Sequence, residues 1–221
     1  MSIYFCGNTG IINRGCEAIV RSTNKLLLKK YNSIYLCSYA PKQDNLMCKE
    51  IGLNLLQYNS MNIMQRLISK GMSIFGYYAY SERIMQDPVI SKLTNEDLCL
   101  NIGGDTYCYG KPVSYMSLNR FAKSKGAKTI LWCCSIEEEI IRGDVKKDLN
   151  RYDYIFARDS ITVKNLLKSG IDRNIVIKVC DPAFFLDRRA VSLPSIFEKG
   201  NVVGINVSEL VIKGADKTVI A

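Results

Sequence analysis

The stretch LNIGGDTYCYG, residues 100–110, closes an apolar run on two glycines and an aspartate. A helix-period segment, Val113–Ser124, comes almost at once after it. A buried strand that stops on Gly103-Gly104 and leads into a helix is one repeat of an α/β sheet. The glycines leave backbone room at the strand end. Asp105 adds a carboxylate where a plain turn needs none.

The same alternation extends in both directions. Apolar, β-branched runs at Ile3–Cys6, Ile34–Cys37, Leu53–Gln57, Leu98–Ile102, Thr129–Cys133, Tyr154–Ala157 and Ile175–Val179 predict strands. Between them lie helix-period segments at Cys16–Lys30, Asp44–Ile51, a long stretch within Met61–Leu93, Val113–Ser124, Val145–Arg151 and Ile161–Lys168. Ile19, Thr23 and Leu27 share one face of the first helix, and Gly170 comes after the last where helices commonly end left-handed. Helix-length connections require parallel neighbours, so the expected fold class is α/β, a doubly wound parallel sheet of about seven strands.

The pattern changes after Leu186. Residues 187–200, DRRAVSLPSIFEKG, are polar, hold Pro194 and read as a linker. NVVGINVSEL, residues 201–210, reads as a fresh buried strand. The expected division is a first domain over 1–195 and, over 196–221, the start of a second whose remainder lies past Ala221, because one strand cannot bury a core alone.

Composition narrows the class. The chain has 221 residues, 48% of them hydrophobic, and no apolar run long enough for a bilayer. SIYFCG near the N-terminus reads as a core strand, not a signal peptide, so a cytoplasmic chain is expected. Nine cysteines without any C-x-x-C pair, and no histidine at all, argue against a zinc framework and for reduced thiols. The net charge of +9 comes from scattered lysines and arginines, with a loose cluster at Lys123, Lys125 and Lys128. That distribution fits solvated helix faces, an anionic small substrate or the anionic inner face of a membrane, and no nucleic-acid partner is expected.

In an open parallel sheet, ligands bind at the carboxyl ends of strands where the strand order reverses. GNTGIINRGCEAIV, residues 7–20, places Gly10, Asn13 and Gly15 before a helix whose starting amides favour an anion. Glu17 there is either functional or a dipole-matching first-turn acid. Asp105 is either a turn cap or a carboxylate that holds or deprotonates a sugar hydroxyl. Tyr107 and Tyr109 offer rings to a sugar or line the core. Ser135 and Glu137 in SIEEE come after an apolar strand, on a loop that reads equally as a solvated face. Arg158 in FARDSITVKNLL clamps an anion or pairs within the fold, with Asp159 or Ser160 capping the helix. Asp181, before Pro182, divides between capping and chemistry.

Taken in order, NRGCEAI, NIGGDTYCYG, ARDSITVKNL, DPAFFL and VVGINVS resemble the polysaccharide pyruvyl transferase family, over essentially the whole chain. The resemblance implies a Rossmann-like sheet forming the first half of a GT-B-like two-domain architecture. It implies transfer of a pyruvyl group from phosphoenolpyruvate to two hydroxyls of a sugar, giving a ketal on a cell-surface polysaccharide or its precursor. By the same comparison Arg158 lies on the donor side, and Asn13, Gly15, Gly103, Gly104 and Asp105 on the acceptor side. With the loop reading, Asp105 and Glu17 are the candidate catalytic carboxylates, and Arg158, Asn13, Gly15, Gly103, Gly104, Tyr107, Ser135 and Glu137 the candidate substrate-binding residues. No metal and no cofactor is expected, phosphoenolpyruvate being the donor substrate. The saccharide acceptor is free or lipid-linked at the inner membrane face.

Two departures accompany the resemblance. Cys16 stands where many members carry an aspartate, and the histidine and arginines of a second domain are absent, so this chain alone is expected to be inactive. Two alternatives share these features: a GT-B-type glycosyltransferase using a nucleotide sugar, and a non-catalytic polysaccharide-assembly component.

Overall fold

The computed structural model describes residues 1–205 except 8, 9, 32, 75, 109–111, 189, 193, 198 and 199. Seven strands build one parallel sheet: β1 (Ile3–Cys6), β2 (Ile34–Ser38), β3 (Asn54–Gln57), β4 (Leu98–Asn101), β5 (Lys128–Cys134), β6 (Tyr154–Ala157) and β7 (Val176–Lys178). The spatial order is β3-β2-β1-β4-β5-β6-β7. Ile3 pairs with Ile34 on one side and Leu98 on the other, so β1 is a central strand. The order reverses between β1 and β4, and this is the crevice of a Rossmann-like doubly wound sheet.

The helices are α1 (Arg14–Leu27), α2 (Pro41–Ile51), α3 (Ile63–Ile74), α4 (Ala79–Ile90), α5 (Val113–Ser124), α6 (Gly143–Leu149) and α7 (Ser160–Lys168). Alternate residues of β1 serve opposite layers, as the two-residue strand period requires. Ile3 and Phe5 pack with Ile19 and Val20 of α1 and Met47 of α2. Tyr4 and Cys6 pack with Val89 and Ile90 of α4 and Leu118 of α5. Around β5–β7, Leu131, Ile155 and Val176 pack with Leu149 of α6 and Leu166 of α7. Because both faces are covered, the strands read as nearly continuous apolar runs.

Boundaries differ from the sequence expectation where local chemistry intervenes. α2 starts at Pro41, three residues before the expected Asp44, because proline is pre-set for the first helical turn. The stretch within 61–93 is two helices, broken where Gly76 adopts φ +77°. Cys133 near the end of β5 has φ +54°, where the β5–β6 register shifts by a bulge. A non-glycine residue there stores strain and re-aims the chain as it leaves the strand.

The chain divides into a compact unit over Met1–Leu186 and a second over Asp187–Ala221. Of the strand expected from Asn201, the described part, Asn201–Ile205, is exposed and forms no ladder, and the rest lies outside the described residues. Among the described residues no helix is long and apolar enough to cross a membrane.

Candidate functional site

The site lies at the carboxyl ends of the central strands, and its floor is the β4 loop. Gly103 packs so tightly that a Cβ would collide with the Thr106 methyl and the Gly7 carbonyl. Gly104, at φ +68°, lies where a Cβ would stand 3.1 Å from Arg158 Nη1 and 3.3 Å from Ile19 Cδ1. Close packing is thus the reason β4 ends on two glycines. Backbone from the ends of β1, β4 and β5 converges here with the Arg158 side chain, and side chains at 103 and 104 would push it apart.

Arg158, just beyond β6, is held on two sides. Its Nε donates to Ser135 Oγ at 2.8 Å and its Nη1 to Asp181 Oδ2 at 3.1 Å. Two of the five donors of a guanidinium are thereby used, and the side chain is 29% exposed. Ser135 relays the arrangement: its Oγ donates to Asp159 Oδ2 at 2.9 Å, and its amide donates to the Gly104 carbonyl at 2.9 Å. Asp159 caps α7, accepting from the Thr162 amide at 2.6 Å. Burial opposes its charge, but the Thr162 amide, the Ser135 and Thr162 hydroxyls and Arg158 outweigh it and hold its carboxyl below the ordinary value.

Asp105 sits at the tip of the β4 turn, half-buried, its amide donating to the Gly103 carbonyl at 2.7 Å. Its charge is felt by two neighbours. Burial first, then Asp105, pushes up the Cys108 thiol, which also senses Arg158, Glu137 and Asp159. Burial first, then Asp105, raises the Tyr115 phenol, which also senses Cys16 and Glu82. Arg158, Asp105, Ser135, Gly103 and Gly104 thus share one neighbourhood, with exposed Glu137 on its border.

The β1 loop behaves differently. Asn13 caps α1, its Oδ1 accepting from the amides of Gly15 at 3.0 Å and Cys16 at 3.3 Å. The amides expected to await an anion are therefore engaged by the protein itself. Glu17 accepts from Arg14 Nη1 at 2.6 Å and Arg21 Nε at 2.8 Å. Burial works to raise its pKa, yet the bonds and charges of the two arginines prevail and lower it, which makes Glu17 a weak proton acceptor.

With this geometry in place, the sequence model of the polysaccharide pyruvyl transferase family matches residues 13–212. The chain belongs to the polysaccharide pyruvyl transferase family. No curated protein matches it. Two similar solved structures are a functionally uncharacterized protein from Klebsiella pneumoniae and a putative UDP-N-acetylglucosamine 2-epimerase from Listeria monocytogenes. The first has TM-score 0.45 at 16% identity, covering 84% of this chain and 51% of that one. The second has TM-score 0.47 at 10% identity, covering 79% and 43%. The chain spans about half the length of these two proteins.

Within this pyruvyl transferase-family chain one expected ligand residue is corrected. Tyr107 is fully buried, its hydroxyl donating to Asp148 Oδ2 at 2.6 Å and lying 3.0 Å from that of Tyr152. It is core, because a hydroxyl-bearing ring can be buried when its tip finds a partner. Tyr109 lies outside the described residues. Asp181, expected either to cap or to take part in chemistry, caps the turn at Pro182–Phe185 through the Ala183 amide at 2.9 Å and pairs with Arg158 at the same time. Two features of the site escaped the sequence reading. Tyr115 reaches the Asp105 neighbourhood from the first turn of α5, where helix periodicity marks only a boundary. Cys133 stands beside the pair with its thiol pushed up to about 12, by burial first and then Asp181. A left-handed cysteine leaves no sequence signal.

Proposed function

We propose that this chain carries the phosphoenolpyruvate-binding half of a pyruvyl transferase that forms a ketal on a sugar of a cell-surface polysaccharide or its precursor. The carrying observation is the placement of Arg158 beside Gly104, one residue from Asp105, on the crevice of the sheet. Phosphoenolpyruvate brings a phosphate and a carboxylate. A guanidinium whose orientation is fixed by Ser135 and Asp181 offers its remaining donors to such an anion at little ordering cost.

The reaction adds one sugar hydroxyl to the enol carbon while the methylene carbon takes a proton. A second hydroxyl then displaces phosphate and closes the ketal. In this reading Asp105 accepts the proton of the attacking hydroxyl, and its charge is felt by the Tyr115 phenol. Arg158 stabilises the charge gathering on the leaving phosphate. The acceptor, free or lipid-linked, enters over the β4 loop, and no metal takes part. The activity belongs, in this reading, to the cytoplasmic side of the membrane.

Calorimetric titration of phosphoenolpyruvate tests this reading, with a uridine nucleotide as the competing ligand. Binding of phosphoenolpyruvate that weakens about tenfold or more in Arg158→Ala supports it. Stabilisation against heat by the nucleotide alone overturns it in favour of a nucleotide-sugar glycosyltransferase.

A further inference from the structure

Helix α3 forms without a core to form on. None of its residues is buried, although its N-terminus is locked by a reciprocal cap: the Asn62 amide donates to Gln65 Oε1 and the Gln65 amide to Asn62 Oδ1, both at 2.9 Å. Ile63, Met64, Leu67, Ile68 and Ile74 are 44% to 80% exposed. Their three- and four-residue spacing makes one apolar stripe, while Gln65, Arg66, Ser69, Lys70 and Ser73 take the rest of the helix.

The charge around this stripe has one sign. No Asp or Glu occurs from Ile51 to Ser81, whereas Arg66 and Lys70 do. The next turn, Gly76–Ala79, forms a wall of a cavity of about 310 Å³ that Arg120, Lys147 and Arg151 also line. Asp144 is the acid on its wall, and Arg151 also reaches Asp148 Oδ1 at 3.2 Å. Tyr77 and Tyr78, 64% and 44% exposed, stand at the same cavity.

We propose that α3 and the cationic cavity at its end form a docking surface for an anionic phospholipid bilayer, α3 lying in the interface and the cavity taking a phosphate headgroup. A capped amphipathic helix without acids, succeeded by exposed tyrosines and a cluster of cations, has the chemistry of an interfacial segment. A second protein copy would cover the stripe but would bring no phosphate to the cavity, where Asp144 is the acid on a wall shared by Arg120, Lys147 and Arg151. The assignment does not depend on the phosphoenolpyruvate site.

Sedimentation with phosphatidylcholine vesicles, with and without added phosphatidylglycerol, provides the test. About tenfold tighter binding to the anionic vesicles is expected, weakening as salt rises. Leu67→Glu with Ile68→Glu, both solvent-exposed positions, should abolish it, and Arg120→Glu with Lys147→Glu should remove the preference for anionic lipid. Circular dichroism verifies that each variant is folded. Equal sedimentation of parent and variants overturns the proposal. So does a parent that ignores vesicles, including one that dimerises and becomes monomeric in the α3 variant.

Discussion

Arg158 Nη1 meets Asp181 Oδ2 at 3.1 Å, joining the loops after β6 and β7. The pair is partly exposed on both sides, 29% and 21%, so its own contribution to stability is small, about 0–1 kcal/mol. Its effect is orientational. Asp181 is itself fixed by the Ala183 amide, and Ser135 holds the other edge of the guanidinium. A flexible side chain is thereby given one direction.

Arg158→Ala should therefore leave the melting temperature nearly unchanged and weaken phosphoenolpyruvate binding by about tenfold to a hundredfold, the worth of charge-assisted hydrogen bonds. Arg158→Lys should recover only part of it, since an ammonium cannot satisfy Ser135 and Asp181 in the same fork geometry. Calorimetry on the three proteins measures both effects.

The two glycines should separate stability from binding. Gly103→Ala drives a Cβ into backbone and should destabilise the fold by about 3 kcal/mol or more. Gly104→Ala meets the movable Arg158 guanidinium and a left-handed backbone, costing about 1–2 kcal/mol while displacing the donor group. Urea melts paired with donor titrations distinguish them.

In a version that carries a complete second domain, Asp105→Asn should impair acceptor use in a turnover assay more than it changes donor affinity, because the amide keeps the turn but cannot take a proton. Unaltered turnover at every acceptor concentration would return Asp105 to a purely structural role.

Asp159→Ala removes the α7 cap and should cost about 1 kcal/mol. Because the native carboxyl is held below its ordinary value of 3.8, the charged form is what folding stabilises. That contribution is complete above the ordinary value, falls as pH drops through it, and is gone below the native value. Acid unfolding curves of the variant should accordingly be flatter in that range than those of the parent.

Tyr107→Phe should destabilise the protein by about 1–3 kcal/mol by leaving Asp148 short of a buried donor, with donor and acceptor affinities unchanged. Altered sugar binding in a fully folded variant would contradict its placement in the core.

The strands and most helices were legible because burial on both faces writes itself into sequence as short apolar runs. β1 and β6 fall where Ile3–Cys6 and Tyr154–Ala157 predict them, and α5 where Val113–Ser124 does. Gly103, Gly104 and Arg158 were legible as loop residues at strand ends. What they touch was not: the partnership of Arg158 with Asp181 links two loops through tertiary geometry alone. Tyr107 was misread because an aromatic after a glycine turn has the same letter whether it points to solvent or inward. The capping role of Asn13 was hidden because a helix start advertises its amides, and nothing in the sequence says whether the preceding side chain already fills them.

The neighbour of Asp181 carries a consequence of a different kind. Among nine cysteines Cys180 alone is exposed, while Cys133 is buried and Cys108, half-buried, donates its thiol to the Ser135 carbonyl at 2.8 Å. A maleimide dye should thus attach at Cys180 ahead of the other eight. One residue from the carboxylate that aims Arg158, it would report occupancy of the crevice by its fluorescence without any engineered attachment point.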